Sequence, residues 1–253
     1  GRGKLRIQVD AQMASGKGSG SYAIHVDGLA APGGHADGAP VSGAIAGSLT
    51  LDGGQFQSRL TATGQMCDLT ASFRCPTAFK PPDGSAINAL LRGRAEGLPD
   101  VMLELDGKID LKAMAQAVPG LLPLRRDASV ASGSAEIRKL RFEGGRQAGA
   151  DGQITVNITS RRTGRQPVVW TPIVGKLRLT CEQDGQLRLE ECSVNSGLAE
   201  LSARGRLPQL DVNLQSDLAE AQRQLGDLID LDNLELAGRV MGNLTAKAEQ
   251  LSG

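Results

Sequence analysis

The feature that most constrains the fold is a pattern of strand, short helix and strand that occurs twice. An alternating strand ends at Asp217-Leu218 in the second copy and at Asp110-Leu111 in the first. With these two pairs aligned, the apolar residues that follow coincide without a gap: Val118, Leu121 and Leu124 against Leu225, Leu228 and Leu231. A fixed internal offset indicates repeated supersecondary units.

Each unit contains a short amphipathic helix. In the second copy the side chain of Asp217 can accept backbone N–H groups at the helix start, and Glu220 three residues later completes a capping box. The apolar residues that follow recur at helical spacing and form one stripe: Leu218, Ala221, Leu225, Leu228 and Ile229. After Asp230 the apolar period falls to two, which predicts a new strand. The helix must therefore lie against a sheet to bury its stripe.

The rest of the chain consists of short alternating runs separated by many of its 33 glycines. Such runs are typical of strands joined by tight turns. We expect an all-β protein with about 13 to 16 strands and two helices. An N-terminal β region would cover residues 1–84, and a second β region, residues 85–253, would carry the two units at 85–143 and 173–251.

Two turns predict hairpins. Asp52-Gly53-Gly54 separates two alternating runs, which is a strong hairpin signal. At Gln183-Asp184-Gly185, a three-residue loop with a left-handed Gly185 pairs Cys181 with Leu187 and Leu179 with Leu189 on one face. A two-residue Asp-Gly turn would set those leucines opposite charged residues, so burial selects the three-residue register.

Composition excludes several classes of function. The 28 basic and 28 acidic residues balance, and aromatic residues make up only 2% of the chain, so we expect no nucleic-acid partner. The sequence contains no run of about 20 apolar residues, which is the length that a membrane-spanning helix needs. The chain starts at Gly1, and we expect it to be an excised piece of a longer protein whose targeting segment is missing.

No pattern of residues predicts catalysis, a cofactor or a metal site, so we expect no enzyme. His25 occupies a polar position of a strand and His35 lies in a Gly-rich loop, where surface histidines are the better interpretation. Gly-x-Ser-x-Gly is absent, and Gly175-Lys176 lacks the upstream glycine of a phosphate-binding loop. The three arginines at 161, 162 and 165 could meet phosphates or lipid headgroups, but a solvated turn is favoured.

The four cysteines do not have zinc-binding spacing. Cys67 and Cys75 could form a cross-strand disulfide or remain free buried thiols, and the sequence does not decide between them. A bridge between Cys181 and Cys192 would need a register other than the one that burial selects.

One family shares the order of these segments. The turn and strand Asp184–Leu189 lead to Ser196–Gly205, then to the helix start Asp217-Leu218, then to the pattern Leu236-Ala-Gly238-x-Val240-x-Gly242-Asn-Leu244. This order resembles the C-terminal parts of AsmA-like proteins, a bacterial envelope superfamily that includes TamB. The resemblance covers residues 173–251 well and 85–142 moderately, and the first 80 residues only in strand style.

The resemblance implies a long, strongly twisted antiparallel sheet curled into a groove with an apolar inside. It also implies a periplasmic protein, anchored in the inner membrane in its parent chain. Such proteins are thought to conduct phospholipids or to assist outer-membrane assembly, so phospholipid and outer-membrane proteins are the expected partners. The candidate groove-lining residues are Leu177, Leu179, Leu187, Leu189, Leu234, Leu236 and Val240.

Alternation alone permits a second interpretation. The same apolar residues could pack against a second sheet or the helices, as in a β-sandwich with a closed core. The protein would then be a structural or interaction scaffold, such as an adhesin-like module, without lipid. The two hypotheses differ in whether the apolar face is open or covered.

Overall fold

The chain folds into one antiparallel sheet of 14 strands, which confirms the predicted all-β class and the long sheet. The structure is a computed structural model that describes residues 3–15, 17–29, 40–78, 84–117, 124–125, 127–229 and 235–247. His35 and Leu234, both singled out in the sequence, lie outside these residues, as do Val118 and Leu121 of the first unit.

The strands follow one another along the chain. They are β1 (Lys4–Ala14), β2 (Lys17–Leu29), β3 (Val41–Asp52), β4 (Gln55–Gly64), β5 (Cys67–Pro76), β6 (Met102–Asp110), β7 (Ala128–Glu143), β8 (Gly149–Arg162), β9 (Val168–Val169), β10 (Ile173–Cys181), β11 (Leu187–Asn195), β12 (Ala199–Arg206), β13 (Gln209–Asp217) and β14 (Arg239–Lys247). The described helices are α1 (Gly84–Leu91), α2 (Leu111–Ala117) and α3 (Leu218–Leu228), and Gly145–Gln147 form a single 3-10 turn.

Each strand pairs with the next along the chain, except that short β9 pairs only with β8, whose further neighbour is β10. The sheet does not close, because β1 and β14 are the two ends of the strand order among the described residues. Since the described strands belong to a single sheet, the alternative of a β-sandwich is wrong.

Both predicted hairpins are confirmed. Gly53 and Gly54 have φ of 56° and 76° and join β3 to β4 with Asp52 opposite Gln55. Gly185 has φ of 80°, and the predicted pairs form, with Cys181 opposite Leu187 and Leu179 opposite Leu189. Glycine suits these turns because it adopts positive φ without steric cost.

The two strand–helix–strand units share one capping geometry. Asp217 Oδ1 accepts a hydrogen bond from the Glu220 N–H at 3.1 Å. Asp110 Oδ1 accepts one from the Ala113 N–H at 2.9 Å. In both units a nine-residue strand ends at the capping aspartate, and the helix begins at the next residue. The matching Asp-Leu pairs therefore mark matching local structures.

The capping box is only half formed in α3. Asp217 caps the helix as expected, but the carboxylate of Glu220 binds Arg223 and Gln224 instead of reaching back to the Asp217 N–H. That N–H donates instead to the carbonyl of Leu198, at 3.2 Å. The reciprocal bond was a wrong prediction because a backbone partner from a neighbouring loop satisfies the same donor.

Several element boundaries also differ from the sequence prediction. Helix α1 is a third helix where two were expected. Cys67 and Cys75, considered above as a cross-strand pair, both lie on the single strand β5. Strand β14 begins only at Arg239, so Leu236 precedes it, and Ile229 has the extended backbone of a helix C-cap instead of extending the helix.

The sheet continues across the proposed division between residues 84 and 85, because β5 before it pairs with β6 after it. The hydrogen-bonded ladder between these strands runs from Cys67 opposite Ile109 to Arg74 opposite Met102. The two regions therefore share one sheet, and their separation into domains stays a prediction.

Helix α3 lies across several strands of the sheet. This helix follows β13 and contacts β7 and β8, although β10, β11 and β12 lie between them in the sheet. At the far end of α3 the carbonyl of Leu228 accepts the Arg125 N–H at 2.7 Å, just before β7.

We predict that replacing either capping aspartate weakens its unit. Asp217→Ala and Asp110→Ala should each lower the free energy of unfolding by about 1 kcal/mol, because a helix-start N–H loses its acceptor. Asp217→Asn keeps an acceptor and should cost less. Urea unfolding measures these changes, with Asn213→Ala on the exposed middle of β13 as the control. Equal losses in Asp217→Ala and Asn213→Ala would contradict the capping role.

Candidate functional site

One face of the sheet is apolar from edge to edge. Directly opposed residues of neighbouring strands form a row, here called the central row, with one residue from each strand except β9. In chain order it consists of Ile7, Ile24, Ile45, Ala62, Leu69, Gly107, Ile137, Ile154, Gly175, Val194, Leu201, Leu214 and Gly242. Every member is aliphatic or glycine. The row would be about 58 Å long in a flat sheet.

Further rows flank the central row on the same face. On one half of the sheet the next row is Val9, Tyr22, Gly47, Leu60, Ala71 and Leu105. On the other half it is Gly152, Leu177, Cys192, Ala203, Val212 and Leu244. We call this side of the sheet the apolar face.

The opposite side is mostly polar. The row one position along from the central row reads Arg6, His25, Ala44, Thr63, Asp68, Lys108, Glu136, Thr155, Val174, Asn195, Glu200, Gln215 and Met241. The sheet therefore separates an apolar side from a water-facing side, as the period-2 alternation of its strands requires.

The apolar face is largely uncovered. Ile7 at the β1 edge is 60% exposed, and even well inside the sheet Ile45, Ile154 and Val194 are 37–38% exposed. Residues in the closed core of a sandwich would instead be almost completely buried. The middle of the apolar face is accessible to a ligand in this structure.

Glycines keep the face continuous where neighbouring backbone comes close. Gly107 in the central row has φ of 139°, and a Cβ there would lie 2.1 Å from the carbonyl oxygen of Asp68. Only glycine fits such an approach without strain. Glycine therefore allows β5 and β6 to pair at this position, although the central row lacks a side chain there.

The face is closed at one end of strands β10 and β11. The segment that joins α1 to β6, residues 92–101, crosses this end. Its Ala95 N–H donates to the carbonyl of Gly185 at 3.0 Å, and its Gly93 carbonyl accepts the Leu187 N–H at 2.6 Å. Ala95, Ala148 and Leu187 form a small buried cluster, with Leu98, Leu179, Cys181 and Leu207 packed around it.

Helices approach the apolar face at the opposite ends of the strands. Helix α2 follows β6 and packs on β7, where a Cβ at Gly133 would lie 3.3 Å from the Leu111 Cβ. Gly133 lies on the apolar side. It opposes Ile158, which is four positions along β8 from Ile154 of the central row and so points to the same side. Val130 and Ser160 nearby are buried.

The structure places the seven candidate lining residues in different surroundings. Leu177, Leu179, Leu187 and Leu189 share the apolar face on β10 and β11. Of these, Leu187 is 1% exposed and Leu189 is 8% exposed, so both are buried in this structure. Leu177 and Leu179 are half-buried. Val240 is exposed on β14, Leu236 lies before that strand, and Leu234 lies outside the described residues.

All four cysteines are free thiols on the apolar face. Cys67 and Cys75 lie at opposite ends of β5, about 27 Å apart along an extended strand, which is too far for a disulfide. Cys181 opposes Leu187 and Cys192 opposes Leu177, so they do not face each other either. In these positions the thiols act as small apolar side chains.

The polar residues singled out in the sequence lie in ordinary surface or ion-pair surroundings. His25 is exposed on the polar side of β2, as expected. Among the described residues no group of three His, Cys, Asp or Glu side chains could hold a metal ion. Arg162 binds Asp127 with Nε to Oδ2 at 2.6 Å, and Arg165 lies 3.9 Å from Asp227. These arginines make ion pairs within the protein.

Asp127 is held ionised by two arginines. Hydrogen bonds from Arg162, and then from Arg125 at 3.1 Å, lower the pKa of Asp127 from 3.8 to about 2. These contacts lie beside the end of α3, whose Leu228 carbonyl accepts the Arg125 N–H. The ion pairs therefore hold the start of β7 close to the end of α3.

Two clefts of the described surface are lined mainly by residues outside the open part of the apolar face. One of about 910 Å³ adjoins the β8–β10 end, where Arg141 pairs with Glu143 and Arg178 with Asp151. Another of about 750 Å³ spans mainly polar-side residues of β10–β14.

Sequence reasoning missed the first half of the apolar face. Its candidate residues were confined to β10, β11 and the segment around β14, whereas the central row begins at Ile7 and passes through Ile24 and Ile45. The signal was present in the alternation of β1 and β2. What the sequence lacked was the pairing register that joins these strands to the later ones.

We predict that Leu187 acts as a core residue. Leu187→Ala should lower the free energy of unfolding by about 2–5 kcal/mol, because it leaves a cavity under Ala95. Val240→Ala, at a position that is 42% exposed, should cost less than about 1 kcal/mol. Urea unfolding compares the two. Similar small losses would show that the end of β10 and β11 is open.

We also predict an acid-dependent contribution from Asp127. The pKa of Asp127 is lower in the folded protein than in the unfolded chain. The carboxylate therefore stabilises the fold at pH values above its unfolded-state pKa, and this stabilisation is lost as the pH falls from about 4 to about 2. Asp127→Asn should lower the thermal midpoint at neutral pH and reduce its decline across that window. Circular dichroism at several pH values measures this, and parallel curves for the two proteins would contradict it.

No described helix is long and apolar enough to cross a membrane. No protein-family model matches the chain, and no curated protein or solved structure matches it either. The resemblance to AsmA-like proteins therefore rests on the residue pattern alone.

Proposed function

We propose that this chain is a non-enzymatic, AsmA-like module of the bacterial envelope that binds or conducts lipid along its apolar face, or assists outer-membrane assembly. The observation that carries the proposal is the central row, whose 13 apolar or glycine residues run across the sheet without a polar interruption. An acyl chain needs continuous apolar surface of this kind.

The energetics of such a surface suit a lipid. Burying a methylene group contributes about 0.8 kcal/mol. A chain of about ten methylenes lying on the sheet with roughly half of its surface covered would gain about 4 kcal/mol, part of which offsets the entropy lost on binding. No directional contact is needed, so a lipid could move from strand to strand at little cost.

The covered and open parts of the face suggest where a lipid would bind. Leu187 and Leu189 are buried in this structure, so the end near the 183–185 turn is a poor site. Ile45 and Ile154 are partly exposed in the middle of the sheet. The acyl chain would lie along the central row, with a polar headgroup reaching water at an uncovered margin.

The remaining parts of the proposal follow from the AsmA-like resemblance. The chain would work in the periplasm as part of a parent protein anchored in the inner membrane. Its partners would be phospholipids and outer-membrane proteins. The test of this placement is the parent reading frame, in which an upstream transmembrane helix and further repeats are expected.

Lipid binding is tested with the purified chain. It is incubated with vesicles of phosphatidylethanolamine and phosphatidylglycerol, separated from them, and examined by native mass spectrometry with quantification of extracted lipid. We expect stoichiometric phospholipid on the unaltered chain. Ile154→Glu should reduce bound lipid about tenfold, equivalent to about 1.4 kcal/mol, because the charge must be desolvated against the acyl chain.

The matched control lies on the same strand. Asn157→Glu adds the same charge to the polar side of β8, where it opposes Ser134, and should leave lipid binding unchanged. Circular dichroism confirms that both variants are folded. A folded, lipid-free chain in every case would refute lipid binding and favour the alternative of a structural or interaction scaffold.

A further inference from the structure

In the part of the chain that the structure describes, the outer edge of β1 has no partner strand. Every residue of this 11-residue strand is exposed, and its large apolar side chains Leu5, Ile7, Val9 and Met13 are 60–77% exposed. Among the described residues β1 pairs only with β2. An unpaired edge of this length presents backbone donors and acceptors to another strand.

The sequence of β1 is complementary to itself in one antiparallel register. With Gln8 opposite Gln8 of a second copy, Arg6 lies opposite Asp10 on the polar side. On the apolar side Ile7 lies opposite Val9, and Leu5 lies opposite Ala11. A two-fold axis at Gln8 repeats each pair, so the contact contains two ion pairs and four aliphatic pairs and no like-charge pair.

Both charged residues are available for this contact. Within the part of the chain that the structure describes, neither Arg6 nor Asp10 forms an ion pair. Across the β1–β2 ladder Arg6 opposes His25 and Asp10 opposes Ser21, so neither meets an opposite charge there. A second copy would supply each with its counter-charge.

The other edge does not share this property. Strand β14 contains Arg239 and Lys247 but no acidic residue, so no antiparallel register of β14 with itself forms an ion pair. Charge complementarity therefore distinguishes β1 from β14 as the edge for a symmetric contact.

We propose that two copies of this chain associate through β1, forming a symmetric dimer with Gln8 on the two-fold axis. Because the axis is perpendicular to the sheet, the two apolar faces lie on the same side and join into one surface. Main-chain hydrogen bonds hold the strands together, and the Arg6–Asp10 pairs fix the register. This contact is independent of whether the apolar face binds lipid.

Cysteine crosslinking tests the register. Gln8→Cys places two thiols opposite each other, with Cβ atoms about 4.5–5.5 Å apart, and mild oxidation should convert most of the chain to a covalent dimer. Gln12→Cys is the matched control on the same strand and side, because its two copies would lie about 27 Å apart. The unaltered chain under the same oxidation controls for its own four cysteines.

Charge exchange tests the contact in solution. Analytical ultracentrifugation should give twice the 26.4 kDa chain mass. Arg6→Asp and Asp10→Arg should each weaken dimerisation about tenfold by opposing like charges, and the double exchange should restore it. A monomer, a larger assembly, equal crosslinking of both cysteine variants, or failure of the double exchange to restore the dimer would overturn the proposal.

Discussion

The structure depends on keeping one side of every strand apolar while 13 strands pair in sequence. Side chains alternate with a period of two, so a slip of one residue would move the whole apolar set of a strand to the polar side. At the β10–β11 pair an extra residue lies between Leu189, opposite Leu179, and Glu191, opposite Arg178. This bulge absorbs Glu190 and returns Cys192 to the apolar face.

The segments outside the sheet determine how much of that face stays open. Helix α3 begins at the Asp217 cap and reaches β7 and β8, and the segment 92–101 crosses the far end of β10 and β11. These elements bury residues at the two ends of the strands and leave the middle partly exposed. The closed-core interpretation therefore holds locally at Leu187, whereas the sheet as a whole remains a single open layer.

The parts of the fold that depend on local chemistry could be predicted. The turns at Gly53-Gly54 and Gly185 require positive φ, and an aspartate that ends an alternating strand caps a helix, so these features are present in the residues themselves. The burial of Leu187 could not be predicted, because it requires Ala95 to cross from a segment about 90 residues away. The alternation of Leu187 and Val240 is the same in the sequence, yet one is buried and the other is exposed.

The same contrast explains why the proposed role requires no fixed arrangement of catalytic or metal-binding residues. Catalytic and metal sites need particular groups at fixed distances, whereas the hydrophobic effect is non-directional and depends on apolar area. Any aliphatic residue or glycine can therefore occupy a position of the central row, provided that the register keeps it on the correct face. Since Ile154, Gly175 and Val194 have different shapes and meet only through strand pairing, the surface that they form is a property of the whole sheet.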